Sequence, residues 1–254
     1  MAEYDTDAAR QVELWERWAA LIPDLYPDRD PSAIVEFLAS QPGPHLDLGA
    51  GSGRIAVPLA ERGCDVTAVE VAPAFVGRLR DQAGAVPRLQ AVEGDMASLA
   101  LEKRFGSVFA VRSTFFQLGT VDRQIGCLEA VASHLAEGGR LILDCFVPDL
   151  ELLRTGGCVQ MTGWSGDGVE IRACSADQVT QRMVYRELRI KDGAVPRVLP
   201  VEQRFCWPSE LDAMAYAAGL VLQDRWGDWA GAPFTAGSRR HVSVYSQRNP
   251  RIRR

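Results

Sequence analysis

The stretch His45-Leu46-Asp47-Leu48-Gly49-Ala50-Gly51-Ser52-Gly53-Arg54 limits this chain more than any other. Apolar residues stop at three glycines on alternate positions, and a helix-like pattern follows. Without a Cβ, glycine lets the backbone turn tightly and approach a ligand closely. A strand that empties through such a loop into a helix start makes a nucleotide-type cleft.

The surrounding pattern is that of an α/β chain. His45–Leu48, Asp65–Val71, Arg88–Val92, Phe105–Val111 and Arg140–Phe146 read as short strands, apolar on both faces. Arg54–Arg62, Ala74–Gln82 and Val121–Leu135 between them read as helices. Such an alternation predicts a parallel sheet covered by helices on both faces. Residues 8–22 and 32–41 carry apolar residues at helical spacing and predict two N-terminal helices. After Pro148 the period changes to two, with turn glycines and Asp192-Gly193 between alternating runs, which predicts an antiparallel meander over 155–206. Ser209–Ala218 then predicts a helix, and Leu220–Trp226 and His241–Gln247 the last two strands. The expected organisation is a helical cap (1–41), a core built from 42–148 and 207–248, an antiparallel β insert capping the substrate (149–206) and a frayed tail (249–254).

With 254 residues, 47% of them hydrophobic, the chain can bury one large core. A net charge of −5 gives no reason to expect nucleic acid or an anionic membrane surface as partner. No apolar run approaches the ~18 residues that span a bilayer. The N-terminus is acidic and lacks the apolar core of a signal peptide. Six scattered cysteines without a C-x-x-C pair read as reduced thiols, with no metal expected. A cytoplasmic protein follows, with monomer and homodimer both open.

The acidic residues say which nucleotide. A dinucleotide site wants G-x-G-x-x-G with the helix dipole aimed at a pyrophosphate. Here the spacing is G-x-G-x-G, and Asp47 stands before the loop, where it would repel a pyrophosphate but suit an ammonium group. Glu70 ends the second strand, where a carboxylate can accept both ribose hydroxyls. Asp95 ends the third, where it can accept the exocyclic amine of adenine or, more plainly, cap a helix. Met96 follows and can pack on the ring. Amino-acid head, ribose and base, in that order, describe S-adenosylmethionine.

Asp47-Leu48-Gly49-Ala50-Gly51-Ser52-Gly53, Glu70, Gly94-Asp95-Met96 and the turn Leu135-Ala136-Glu137-Gly138-Gly139-Arg140-Leu141 together resemble the class I S-adenosylmethionine-dependent methyltransferases. The resemblance covers residues 40–148 and, more loosely, the last helix and two strands. It implies a Rossmann-like sheet of seven strands whose last strand, His241–Gln247, runs antiparallel. It implies S-adenosylmethionine as cofactor, with S-adenosylhomocysteine as product. It assigns Asp47, Gly49, Ala50, Gly51, Gly53, Glu70, Val71, Gly94, Asp95, Met96 and Arg112 to the cofactor. The β-rich insert is similar to the small-molecule branch, including deoxysugar N-methyltransferases, which implies transfer to an N, O or C atom of a small molecule in secondary metabolism. Ser107 departs from the pattern, standing where the family often has an acid.

The acceptor side carries weaker signals. Arg112 follows the fourth strand at the open end of the sheet and could line cofactor or acceptor, or form a surface ion pair. Phe115 and Phe116 suit core or pocket. Tyr26, Trp164, Arg172, Tyr185 and Trp229 lie in the cap segments and are the remaining acceptor candidates. No general base stands out. Arg112, Tyr185 and His241 are the catalytic candidates, His241 because it opens the last strand beside Arg239-Arg240. The rival readings are an S-adenosylmethionine enzyme of non-methyl chemistry such as a cyclase, a non-catalytic binding subunit and, more distantly, a nicotinamide oxidoreductase.

Overall fold

The computed structural model describes residues 2–19, 30–166, 168–191, 193 and 197–248. Tyr26 and the tail 249–254 lie outside the described residues. From residue 45 onward the strand–helix alternation is realised: β1 (His45–Leu48), α3 (Ala56–Glu61), β2 (Val66–Glu70), α4 (Pro73–Ala83), β3 (Leu89–Glu93), β4 (Phe105–Ala110), α5 (Val121–His134) and β5 (Leu135–Phe146). Two helices precede them, α1 (Ala2–Ala19) and α2 (Ser32–Ala39). After β5 come α6 (Leu150–Thr155), β6 (Gly157–Ser165), β7 (Gly168–Asp177), β8 (Arg182–Lys191), β9 (Arg197–Arg204), α7 (Pro208–Ala217), β10 (Leu220–Trp226) and β11 (Arg240–Gln247).

Seven strands form one sheet in the order β10-β11-β5-β4-β1-β2-β3, and β11 runs antiparallel to both its neighbours. Both the Rossmann-like sheet and its reversed last strand are as expected. Every residue of β1, β2 and β4 is buried, as strands covered on two faces require. Leu46, Leu48 and Leu143 pack with α5 and α7 on one face. Ile142, Val242 and Val244 pack with α2 and α3 on the other.

The insert is a separate antiparallel sheet, β6-β7-β8-β9. Arg204, at the end of β9, fastens it to the core. Its guanidinium donates to Gln124 of α5 (2.6 Å), to Gln181 (2.6 Å) and to Glu210 of α7 (2.6 Å), and Gln124 returns a bond to the Arg204 carbonyl (2.8 Å). Helix α1 bridges insert and core. Trp18 Nε1 donates to Pro200 O in β9 (2.8 Å), while Glu16 accepts from the Ala74 amide at the start of α4 (2.8 Å). Leu14, Trp18, Ala72 and Phe75 bury one another between them.

Helix α6 has no counterpart in the sequence reading. It is one and a half turns long, and Asp149 caps it by accepting from Glu151 N (2.8 Å) and Leu152 N (3.3 Å). Strand β5 also begins earlier than Arg140. Leu135 already pairs with Phe105, and a register shift before the Ser107–Arg140 pair accommodates Gly138 at φ +73°.

Candidate active site

The glycine loop turns over the end of β2. Gly49 N and Ala50 N both donate to Val69 O, at 2.9 and 3.0 Å. Gly49, Gly51 and Gly53 have φ of +67°, +58° and +87°, a region closed to most side chains. Their reasons differ. A Cβ on Gly49 would meet Thr114 Cγ2 at 2.4 Å, and one on Gly53 would meet Val57 and Leu79 below 3.0 Å. A Cβ on Gly51 would meet nothing within 4 Å. Gly51 therefore leaves backbone bare to the cleft, while its neighbours let the loop lie flat on α3, α4 and the chain after β4.

Glu70 anchors this loop from below. Its carboxylate accepts from Gly51 N (2.8 Å), Val71 N (2.8 Å) and Ala72 N (3.0 Å). Burial raises its pKa, those three amides oppose the rise, and Glu16 adds to it. A carboxylate has roughly four lone-pair positions, so capacity remains for ligand hydroxyls. Asp47 lies fully buried in β1, and its pKa is pushed up to about 8 by burial first and the Glu70 charge second, against a hydrogen bond from the Ala56 amide. Among the described residues no salt bridge reaches it, so the site favours an arriving cation.

Asp95 does two things at once. Its Oδ1 accepts from Ala97 N (2.9 Å) and caps a short 3-10 turn, Met96–Ser98, while Oδ2 receives Arg123 (2.8 Å). The plain capping role is thus present, and Asp95 also lines a cavity of about 150 Å³ together with Gln11, Trp15, Gly51, Glu70, Val71, Gly94 and Met96. A larger cleft of about 1010 Å³ opens beside it, running from Asp47, Gly49, Ala50 and Gly51 past Arg112 and Thr114 to the insert residues Arg172, Tyr185, Glu187 and Gln203. Every cofactor candidate except the packing glycine Gly53 lines one of these two cavities.

The floor under Arg112 is organised by Asp144, fully buried near the end of β5. It accepts from Arg112 N (3.0 Å), Trp229 Nε1 (3.3 Å) and the Arg240 guanidinium (2.5 Å to each oxygen). Arg112 and Ser113 carry positive φ, and Ser113 N donates to Asp144 O (2.7 Å). This kink delivers Arg112 to the cleft.

Several acceptor candidates lie elsewhere. Phe115 and Phe116 are fully buried, Phe116 edge-on to Phe146 at 5.0 Å; the kink at Ser113 turns them inward, and they are core. Trp164 sits on the edge strand β6, 78% exposed, and lines neither cavity. Trp229 lines neither cavity; it packs edge-on against Phe37 (5.4 Å) and supports Asp144 from behind. His241 is buried, with Nδ1 on Ser243 Oγ (2.8 Å) and its ring against Phe234. Burial and Arg225 pull its pKa down to about 4. Strand side chains alternate in direction, so Arg240, one residue earlier, reaches the cleft and His241 faces away. Arg172 and Tyr185 do line the cleft, Arg172 stacked 5.5 Å from the Tyr185 ring and paired with Glu187 (2.5 Å). Sequence reasoning missed Asp144, a lone acid inside Leu141-Ile142-Leu143-Asp144-Cys145-Phe146, although that position is a visible anomaly. It also missed Gln117, Arg123, Glu187, Gln203 and Arg240. Ser107 is buried and donates to Pro42 O (2.6 Å).

Residues 46–139 match the family described as "Methyltransferase domain". The chain is 32% identical over 204 residues to the cypemycin N-terminal methyltransferase of a Streptomyces species, covering 78% of this chain and 81% of that protein. The chain belongs to the class I S-adenosylmethionine-dependent methyltransferases. The structure of the CcbJ methyltransferase from Streptomyces caelestis superposes with a TM-score of 0.82 at 34% identity, over 88% of this chain and 91% of that one. The glycopeptide N-methyltransferase MtfA, solved with S-adenosylmethionine, shares the fold at a TM-score of 0.62 and 21% identity, over 89% and 90% of the two chains.

The cofactor of this methyltransferase is S-adenosylmethionine, and the residues present fit it. Bare backbone at Gly51 admits close approach, Glu70 retains acceptor capacity, and Asp47 is a buried acid with no salt bridge among the described residues. Among the described residues no three His, Cys, Asp or Glu side chains group as a metal site would need. Among them also, no helix is long and apolar enough to cross a membrane.

Proposed function

We propose that this methyltransferase moves a methyl group to a nitrogen atom of a small molecule or short peptide in cytoplasmic secondary metabolism. The observation that carries this reading is the continuous cleft of about 1010 Å³ between the glycine loop and the insert wall. Ligand pockets run to roughly 300–1,000 Å³, so this one suits two ligands side by side. The cypemycin relative, which by its name acts at an N-terminus, supports nitrogen as the acceptor atom.

In this reading Asp47 receives the amino-acid head of the cofactor, Glu70 the ribose and Asp95 with Met96 the adenine. Bound there, S-adenosylmethionine supplies an electrophilic methyl on a positively charged sulfur. The acceptor nitrogen forms the new N–C bond with its lone pair, the C–S pair returns to sulfur, and the nitrogen sheds one proton to water. The chain's task is alignment of the two ligands, a source of large acceleration without acid–base help. The groups along the cleft agree. Burial raises the Tyr185 pKa, which keeps it a phenol and a donor at neutral pH. The Arg112 guanidinium offers only hydrogen-bond donors. His241 faces away. Helix α1, with Gln11 and Trp15 over the cofactor cavity, serves as the lid that excludes water.

The test is incubation with methyl-labelled S-adenosylmethionine and a panel of primary and secondary amines, hydroxylated sugars, phenols and short peptides. Label on amine nitrogen supports the proposal. Label only on oxygen or carbon refutes the nitrogen assignment, and label that stays on the cofactor while an acceptor is converted indicates the non-methyl alternative.

A further inference from the structure

Gln203 is a polar residue that the site described so far leaves unused. It sits one residue from the end of β9, is only 7% exposed and lines the large cleft. Its Nε2 donates to Ser113 O at 3.4 Å, which fixes which end of the amide faces which way. Exchanging nitrogen and oxygen would set two carbonyl oxygens against each other. The Oε1 atom is buried and has no hydrogen-bond partner. An unmet buried acceptor is destabilising, and in a ligand site its natural complement is a donor on the ligand.

The place of this atom is informative. Ser113 is the left-handed residue that ends the β4 turn, tied to Asp144 O through its amide and to the Phe146 amide through its hydroxyl (3.0 Å). Gln203 is therefore tied to the braced turn after β4, and it lines the same cleft as Arg112 and the glycine loop. The bond from Nε2 to Ser113 O holds the amide with Oε1 unpaired, on a residue that lines the cleft.

We infer that Gln203 is an acceptor-binding residue whose Oε1 takes an N–H from the nitrogen that is methylated, and that it selects amines over anionic nucleophiles. This rests on the nitrogen reading above. A carbonyl oxygen accepts from a primary or secondary amine and leaves its lone pair free to point at the methyl. The same oxygen repels a phenolate or enolate, which has no hydrogen to give.

The test uses sinefungin, a cofactor analogue in which an amine-bearing carbon replaces the methylated sulfur, with S-adenosylhomocysteine as the amine-free control. Calorimetry on the full chain should show Gln203→Leu weakening sinefungin about 10-fold while S-adenosylhomocysteine stays within about twofold. Gln203→Glu, which keeps an acceptor oxygen, should restore sinefungin binding. Unchanged sinefungin affinity in Gln203→Leu overturns the inference, as does a parallel fall for both ligands, which would make Gln203 merely structural. The nitrogen reading fails by a different signal, the atom that receives label, so the two failures are separable.

Discussion

On the sheet side of the cleft, the groups offered to a ligand come from consecutive strand ends between residues 47 and 96. Each is held by backbone close by: Glu70 by Gly51, Val71 and Ala72, Asp95 by Ala97. On the insert side, Arg172, Tyr185, Glu187 and Gln203 come from three antiparallel strands, and their direction depends on register across the whole insert. The first wall is a local device, each group held by backbone a few residues away or one strand over. The second is assembled over distance and can be re-lined without disturbing the first. In the proposed reading cofactor choice and acceptor choice are thereby physically separated, with insert and core fastened to each other at Arg204.

Variants can break or sharpen that separation. The largest effect belongs to the cleft floor under Arg112. Asp144→Ala leaves Arg240 without its carboxylate and strips Arg112 N and Trp229 of their acceptor, costing about 3 kcal/mol of stability in denaturant unfolding and loosening the turn that carries Arg112. Glu70→Ala should act on one wall alone, weakening S-adenosylhomocysteine roughly 100-fold by calorimetry while the chain stays folded. Equal loss of affinity from an insert variant such as Tyr185→Ala would contradict the separation.

Asp47 allows a finer cut. Its folded-state pKa of about 8 lies above the ordinary value near 4, so the native state holds the extra proton between those limits. Stability contributed by the protonated form is full below pH 4 and is lost as pH rises toward 8. Asp47→Asn should flatten the fall in Tm across pH 5–8 and weaken cofactor binding about 10-fold. In the wild type at pH 7, cofactor binding should release a proton, seen as a buffer-dependent calorimetric heat that the Asn variant lacks. The smallest effect is reserved for Trp164→Ser on the outer edge of the insert, which should change stability by less than about 0.5 kcal/mol and leave cofactor affinity unaltered.

The same division explains what the sequence disclosed. The glycine loop and the acids at 47, 70 and 95 were legible because each lies at the end of its own short apolar run, and parallel strands leave little doubt about which end opens. Phe115 and Phe116 were not, since the left-handed pair Arg112-Ser113, which no pattern announces, turns them into the core. In the insert, one residue of register inverts every face. Trp164 follows a shift between Met161 and Gly163, so its outward position could not be read from alternation. Gln203 lies in Val201-Glu202-Gln203-Arg204-Phe205, where three polar residues in succession conceal which one is inward. His241 and Arg240 show the same one-step ambiguity at the cleft rim.

A crystal structure with S-adenosylhomocysteine bound tests the central claim most directly. The account predicts the amino-acid end beside Asp47 and Gly51, the ribose hydroxyls on Glu70 and the adenine against Asp95 and Met96, leaving the volume toward Arg172, Tyr185 and Gln203 free. A ligand lying against the insert wall, or one with its adenine at Asp47, would contradict it.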